Sequence, residues 1–308
     1  MNVTTVRSTV WQPPGGPSRA AGGLMGVAGG EAFAEQAFGD RSFIAALLSG
    51  HGGPATGPGV FYDYATEGPV TRALLELADS YVLRRGHGVP VEVAERNEGL
   101  ATPAWLLAVA IARSNSKELI ADTLELANAA GVPSRALGDC VAYVELASGL
   151  FAGRPAVAAI ETALGHGHDM GRGPGSGSGC RVTLPSSLEE APPLCGEGPA
   201  DALSASIWAL NQPGGVADVM LALAAVTTPG VGAAAAGLLG LRDGCAAMPA
   251  HWQRRLRSAS DCLALAPGLV RARCRGHQLH RHVDHVDWGG HVETPDAPCV
   301  HGVVAGVS

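Results

Sequence analysis

Apolar positions recur at helical spacing along nearly the whole chain. Between Thr71 and Leu83, residues Leu74, Leu75, Ala78 and Val82 fall one, three and four residues apart, which lays an apolar stripe along one helix side. The same pattern predicts helices over 118–129 and 136–150. The run 216–241 has little charge, but Asp218 and the Pro229-Gly230 break divide it. It reads as two buried helices and not as a membrane span. No series of alternating apolar and polar residues marks a sheet, and no strand–turn–helix unit for dinucleotides is present. Gly/Pro/Ser-rich stretches at 51–58 and 170–179 are predicted loops. The expected fold class is all-α, a compact single-domain helical bundle.

Composition sharpens that picture. The chain has 308 residues, 46% hydrophobic and 16% charged, so a substantial core is available. Aromatics make up 5% while Gly and Ala abound, and small residues let helices approach closely. A net charge of -7 without a basic stripe argues against nucleic-acid binding, which depends on phosphate neutralisation. Seven scattered cysteines, none in a Cys-x-x-Cys pair, read as reduced thiols, and the first twenty residues show no apolar signal core. A cytoplasmic location is expected. The organisation expected is a flexible N-terminus at 1–20, a helical domain over 21–270 and a His-rich extension at 271–308. In that extension His277, His280, His282 and His285 are either a polar terminus or an incidental transition-metal site.

The stretch 223–252 reads LAAVTTPGVGAAAAGLLGLRDGCAAMPAHW. It resembles the C-terminal signature of the ADP-ribosylglycohydrolase family. There a Gly-Gly-Asp-x-Asp-Thr turn opens a small-residue helix that ends in Gly, followed by Pro-x-x-Trp. The Ala/Gly helix, Gly244, Pro249 and Trp252 match, while the two Asp slots hold Thr227 and Pro229. Gly68-Pro69-Val70-Thr71 is similar to the family's Thr-Asp-Asp-Thr turn, with only Thr71 kept. The segment from Gly23 to Ala32 resembles the family's opening helix, with Glu31 in place of an Asp. Ala112-Arg113-Ser114-Asn115 stands where the family carries Gly-Asn-Gly, the turn at 132–137 lacks the family's His, and 200–210 matches a late helix. After Trp252 the pattern ends in a helix expected at about 253–265. The resemblance covers about 22–252 and implies an all-α fold with a central cleft that holds ADP-ribose over two Mg²⁺ ions. Four acidic slots of that metal site are filled by residues without carboxylates, and Mg²⁺ requires hard oxygen ligands. No metal and no other cofactor is therefore expected.

The resemblance implies that Glu31, Thr71, Thr227 and Thr228 meet in the cleft. The loop before the first turn adds Asp63 and Glu67, with Tyr62 and Tyr64 as phenols able to stack on a ligand or hydrogen-bond it. In a partly desolvated cleft free of metal, Glu31, Asp63 or Glu67 can act as a general base. Asn115 joins Thr71, Thr227, Thr228 and the two tyrosines as a candidate ligand contact. The plainer alternatives are that Glu31 is an anion capping a helix or a salt-bridged remnant, and that Thr71 and Thr227 cap the helices they begin. No nucleophile motif is present: Gly-x-Ser-x-Gly occurs only within the low-complexity run 175–179. The leading expectation is a metal-independent enzyme performing elimination, cyclisation or isomerisation on a small polar metabolite in a biosynthetic pathway. The alternatives are a pseudoenzyme that binds ADP-ribose, a nucleotide or a protein partner, and a residual ADP-ribosyl hydrolase. The oligomeric state is not legible.

Overall fold

The computed structural model describes residues 15–39, 68–83, 91–96, 100–170, 196–224 and 227–284. Among these residues there are twelve α-helices and no strand. In chain order they are α1 (Gly16–Gly39), α2 (Pro69–Leu83), α3 (Val91–Arg96), α4 (Leu107–Ala112), α5 (Ser116–Ala129), α6 (Leu137–Phe151), α7 (Ala156–Met170), α8 (Pro199–Asn211), α9 (Val216–Ala224), α10 (Pro229–Asp243), α11 (Ala250–Arg255) and α12 (Ala259–Asp284). Short 3-10 turns lie at Pro103–Leu106, Ser134–Ala136 and Cys245–Ala247. The all-α expectation holds.

Helices α1 and α10 form the central pair. Gly22, Gly26 and Gly30 follow one another at four-residue intervals on α1, and Gly232, Ala236 and Gly240 do the same on α10. The helices run antiparallel, so Gly22 faces Gly240, Gly26 faces Ala236 and Gly30 faces Gly232. A Cβ on any of the three α1 glycines would stand under 3.0 Å from a carbonyl oxygen of α10. Only glycine permits two backbones to approach this far, and the reward is dense packing along the whole crossing. Every residue of α10 from Val231 to Leu241 is buried, which fits a helix apolar all round. The predicted division of 216–241 into two helices is seen as α9 and α10. Trp252 of α11 then packs its ring over Gly29, where a Cβ would overlap it, and lies 6.2 Å from the Phe33 ring.

Around this pair the core continues through Trp105 and α4, whose residues are buried without exception. Three helices are tied by one polar cluster. Tyr81 of α2 donates to Asp122 of α5 at 2.7 Å, and Arg113, just after α4, donates to the same oxygen at 2.6 Å. The Arg113 guanidinium also lies 5.3 Å from the centre of the Tyr81 ring. Burial and the Asp122 charge push the Tyr81 phenol well above its ordinary value, so it is a permanent donor. Arg273 of α12 donates to the carbonyls of Ala110 and Arg113 at the end of α4. Burial lowers Arg273 to about 10, which leaves it charged at neutrality where a cation suits a helix C-terminus.

Several expectations shift. On α2 the buried face is Ala73, Leu74, Leu77, Ala78 and Tyr81, while Leu75 and Val82 are half-buried; the inward pull of Tyr81 toward Asp122 rotates the stripe. The helix expected at 253–265 is two helices, because Leu256 turns extended and buries its side chain between α11 and α12. Met170, expected in the loop at 170–179, instead closes α7, and 171–179 lies outside the described residues. The N-terminal division at 20 falls inside α1, and that at 270 falls inside α12, whose Arg273 still packs on the bundle. The loop expected at 51–58 lies outside the described residues.

Gly26→Ala should cost about 2 kcal/mol or more, because the new methyl meets backbone that cannot yield. Gly165→Ala, on a side of α7 where nothing lies within 4 Å, should instead gain about 0.5–1 kcal/mol. Urea midpoints measure both; two small effects of the same sign would overturn the packing described.

Candidate functional site

Glu31 lies on α1 beside Gly30 and is 2% exposed. It does not cap its own helix. Its Oε1 accepts from the Val70 N–H at 2.9 Å and its Oε2 from the Thr71 N–H at 2.8 Å. These are donors that the first turn of α2 leaves without a helical partner; the Arg72 N–H is the first to reach a carbonyl, that of Gly68, at 3.1 Å. Gly68 makes the arrangement possible, since a Cβ there would stand under 3.0 Å from the Glu31 carboxylate. The helix dipole adds to the attraction. Burial pushes the Glu31 carboxyl above its ordinary 4.5, hydrogen bonds from Thr71 and Val70 pull it back, and the Glu35 charge pushes it up again. Of the two readings of Glu31, helix cap and cleft base, the contacts match the cap.

Thr71 is the third residue of α2 and so cannot be its cap, contrary to the plainer expectation. Its hydroxyl borders the Glu31 carboxylate without a well-aligned hydrogen bond. Thr227 does not cap α10 either: its hydroxyl donates to the Leu223 carbonyl at 3.0 Å, at the end of α9. The N-cap of α10 is Thr228, extended at φ -79 and ψ 162, and its side chain makes no capping hydrogen bond. Asn115 is the N-cap of α5, with Oδ1 accepting from the Lys117 N–H at 2.8 Å.

The helix starts of α2 and α10 lie at one end of the α1–α10 pair. Glu31 reaches the start of α2, while its neighbour Gly30 packs on Gly232, one turn inside α10 from Thr228. Glu31 and Thr71 are thus in contact, with Thr227 and Thr228 at the same end. Asp63, Glu67, Tyr62, Tyr64 and His285 lie outside the described residues. His277, His280 and His282 are in α12, but their side chains are outside the description as well. Among the described residues no group of three or more His, Cys, Asp or Glu side chains could hold a metal ion, and no helix is long and apolar enough to cross a membrane. Cys140, Cys245, Cys262 and Cys274 form no disulfide among the described residues.

Two residues went unnoticed in the sequence. Thr102 is 5% exposed and Trp105 is fully buried, and neither Thr102 Oγ1 nor Trp105 Nε1 has a hydrogen-bond partner among the described residues. Thr102 rests against Gly230 in the first turn of α10, where a Cβ would stand 2.7 Å from Oγ1. Neither residue belongs to a periodic pattern or a motif, so nothing local marks them. The site is rich in neutral hydroxyl and N–H donors, and its described carboxylate is already engaged.

No family model and no curated protein matches the chain. Among solved structures, one described as an ADP-ribosylglycohydrolase-related protein complex is similar, with a TM-score of 0.60 and 21% identity over 83% of this chain and 98% of that one. The chain has the all-α ADP-ribosylglycohydrolase-like fold. Fold alone does not carry an activity across.

Glu31→Ala strands two buried N–H groups and should cost about 2 kcal/mol in urea unfolding, with Glu31→Gln milder because one acceptor oxygen remains. The raised carboxyl binds its proton more tightly folded than unfolded. Relative to Glu31→Gln, the natural protein should therefore gain stability as pH falls from neutrality toward 4.5. Unfolding curves at two pH values in that window test the sign.

Proposed function

We propose that this protein is a metal-independent binding protein on an ADP-ribosylglycohydrolase-like scaffold, taking a small polar ligand of the ADP-ribose or nucleotide class in its central cleft. One observation carries the reading: the buried carboxylate of Glu31 spends both oxygens on the N-terminus of α2. A carboxylate so engaged holds a helix and is poorly placed to hold a cation or strip a proton from a ligand. The donor set does not fit a magnesium pair. Mg²⁺ needs near-octahedral oxygen coordination with carboxylates among the ligands, whereas Pro69, Val70, Pro229 and Gly230 at the two helix starts bring no side-chain oxygen. What remains is a donor-rich pair of helix starts, suited to binding a polar, oxygen-bearing molecule.

Proton transfer on a small metabolite is the second reading, favoured by the upward displacement of the Glu31 carboxyl, which brings a base nearer to working pH. The two part at Glu31→Gln. An acid–base enzyme loses its turnover and keeps its ligand, whereas a binding protein has no turnover to lose.

Elemental analysis of the purified protein should find less than one Mg²⁺ or Mn²⁺ per chain. Calorimetric titration with ADP-ribose should give saturable binding that EDTA leaves unchanged, with no release of ADP-ribose from a modified peptide. Two tightly held Mg²⁺ ions with hydrolysis of that peptide would sink the proposal.

A further inference from the structure

We propose that the start of α10 is an oxyanion site, which takes a phosphoryl or carboxylate group where the sequence resemblance places a cation. Three features meet there. First, α10 is a 15-residue helix whose opening turn leaves two N–H groups, those of Gly230 and Val231, without a helical partner. Pro229 has no N–H, and the Gly232 N–H is the first to bond, to the Thr228 carbonyl at 2.9 Å. Second, the N-cap residue Thr228 leaves its side chain unbonded to the helix, so the job that a Ser, Thr or Asp usually does is not done from within. Third, the Thr102 hydroxyl comes from a separate segment, is buried at 5% exposure, has no partner among the described residues, and lies against Gly230 in that same turn. A buried hydroxyl without a partner is destabilising unless something answers it.

The contrast with α2 sharpens the point. There the two orphan N–H groups are closed by a carboxylate from within the chain, Glu31. At α10 no described side chain plays that part, and residues 228–230 are half-buried and hence reachable. Gly230 has no Cβ, and one would strike Thr102, so the opening turn presents bare backbone with the Thr102 hydroxyl against it. Backbone N–H groups, a helix dipole and hydroxyl donors form the set that binds an oxyanion without any basic side chain. A cation would meet the positive end of the dipole. The site goes beyond the binding reading above and does not require the ligand to be ADP-ribose.

The test uses the whole protein with inorganic phosphate and, separately, acetate, each against chloride at equal ionic strength. Thermal unfolding should show a saturable rise in Tm with at least one oxyanion and none with chloride. Phosphate alone acting would assign a phosphoryl group, acetate alone a carboxylate, and equal action a site that accepts either. Thr102→Val keeps the shape and removes only the unpartnered hydroxyl, so its Tm in chloride should equal or exceed that of the natural protein. Its oxyanion affinity, and that of Thr228→Ala, should fall about ten-fold, the equivalent of one hydrogen bond. The absence of a saturable shift with either anion, or undiminished affinity in both variants, would overturn the site. Phosphate binding with no ADP-ribose binding would leave the site standing and remove only the ligand class proposed above.

Discussion

The close antiparallel contact of α1 with α10 is the constraint on which the rest of the molecule depends. It exists because Gly22, Gly26 and Gly30 present bare backbone to Gly232, Ala236 and Gly240. At that separation the two helices behave almost as one rigid body, and what each carries at its ends is fixed relative to the other. Glu31 is brought to α2 by this rod, and the start of α10 is held beside the same end of it. Larger side chains would push the helices apart by several ångströms and remove both alignments together, since packed cores do not deform gradually.

Two helix starts at one end of the α1–α10 pair meet the same electrostatic demand in different ways. Each exposes N–H donors and the positive end of a dipole. At α2 the demand is met by a buried carboxylate on another helix, and the glycine that precedes α2 lets it in. At α10 it is met by no described side chain, while Thr102 brings one more donor to the turn. Among the described residues, the start of α10 is therefore left without a neutralising negative charge. That imbalance connects the two proposals: it disfavours a cation pair, and it favours a ligand that carries its own anionic oxygens.

The periphery is anchored by buried cations at helix ends. Arg273 ties the long C-terminal helix to the last carbonyls of α4, and it lies 5.0 Å from the centre of the Phe151 ring. Arg113 follows α4 directly and is shared between Asp122 and the Tyr81 ring. Removing one member of such a cluster leaves a charge buried without its partner, which costs more than the pair contributes. These ties keep α2, α4, α5, α6 and α12 in register around the central rod without entering the site.

Much of this was legible from local pattern. Apolar periodicity marks the helices over 118–129 and 136–150, Pro229-Gly230 separates α9 from α10, and four-residue glycine spacing signals that two helices can nearly touch. The residue types at the two helix starts, Pro69 and Val70, Pro229 and Gly230, were equally plain, and none of them carries a carboxylate. Partners across the fold were not legible. Glu31 and its two donors are 39 and 40 positions apart, and Thr102 meets Gly230 across more than a hundred residues. No periodicity records such pairings, because a cap or a bare hydroxyl acquires its meaning only when tertiary packing brings a distant backbone to it. The sequence alone determined the helices and their chemical inventory. Which donor found an acceptor, and which was left without one, was decided by how closely α1 and α10 could pack.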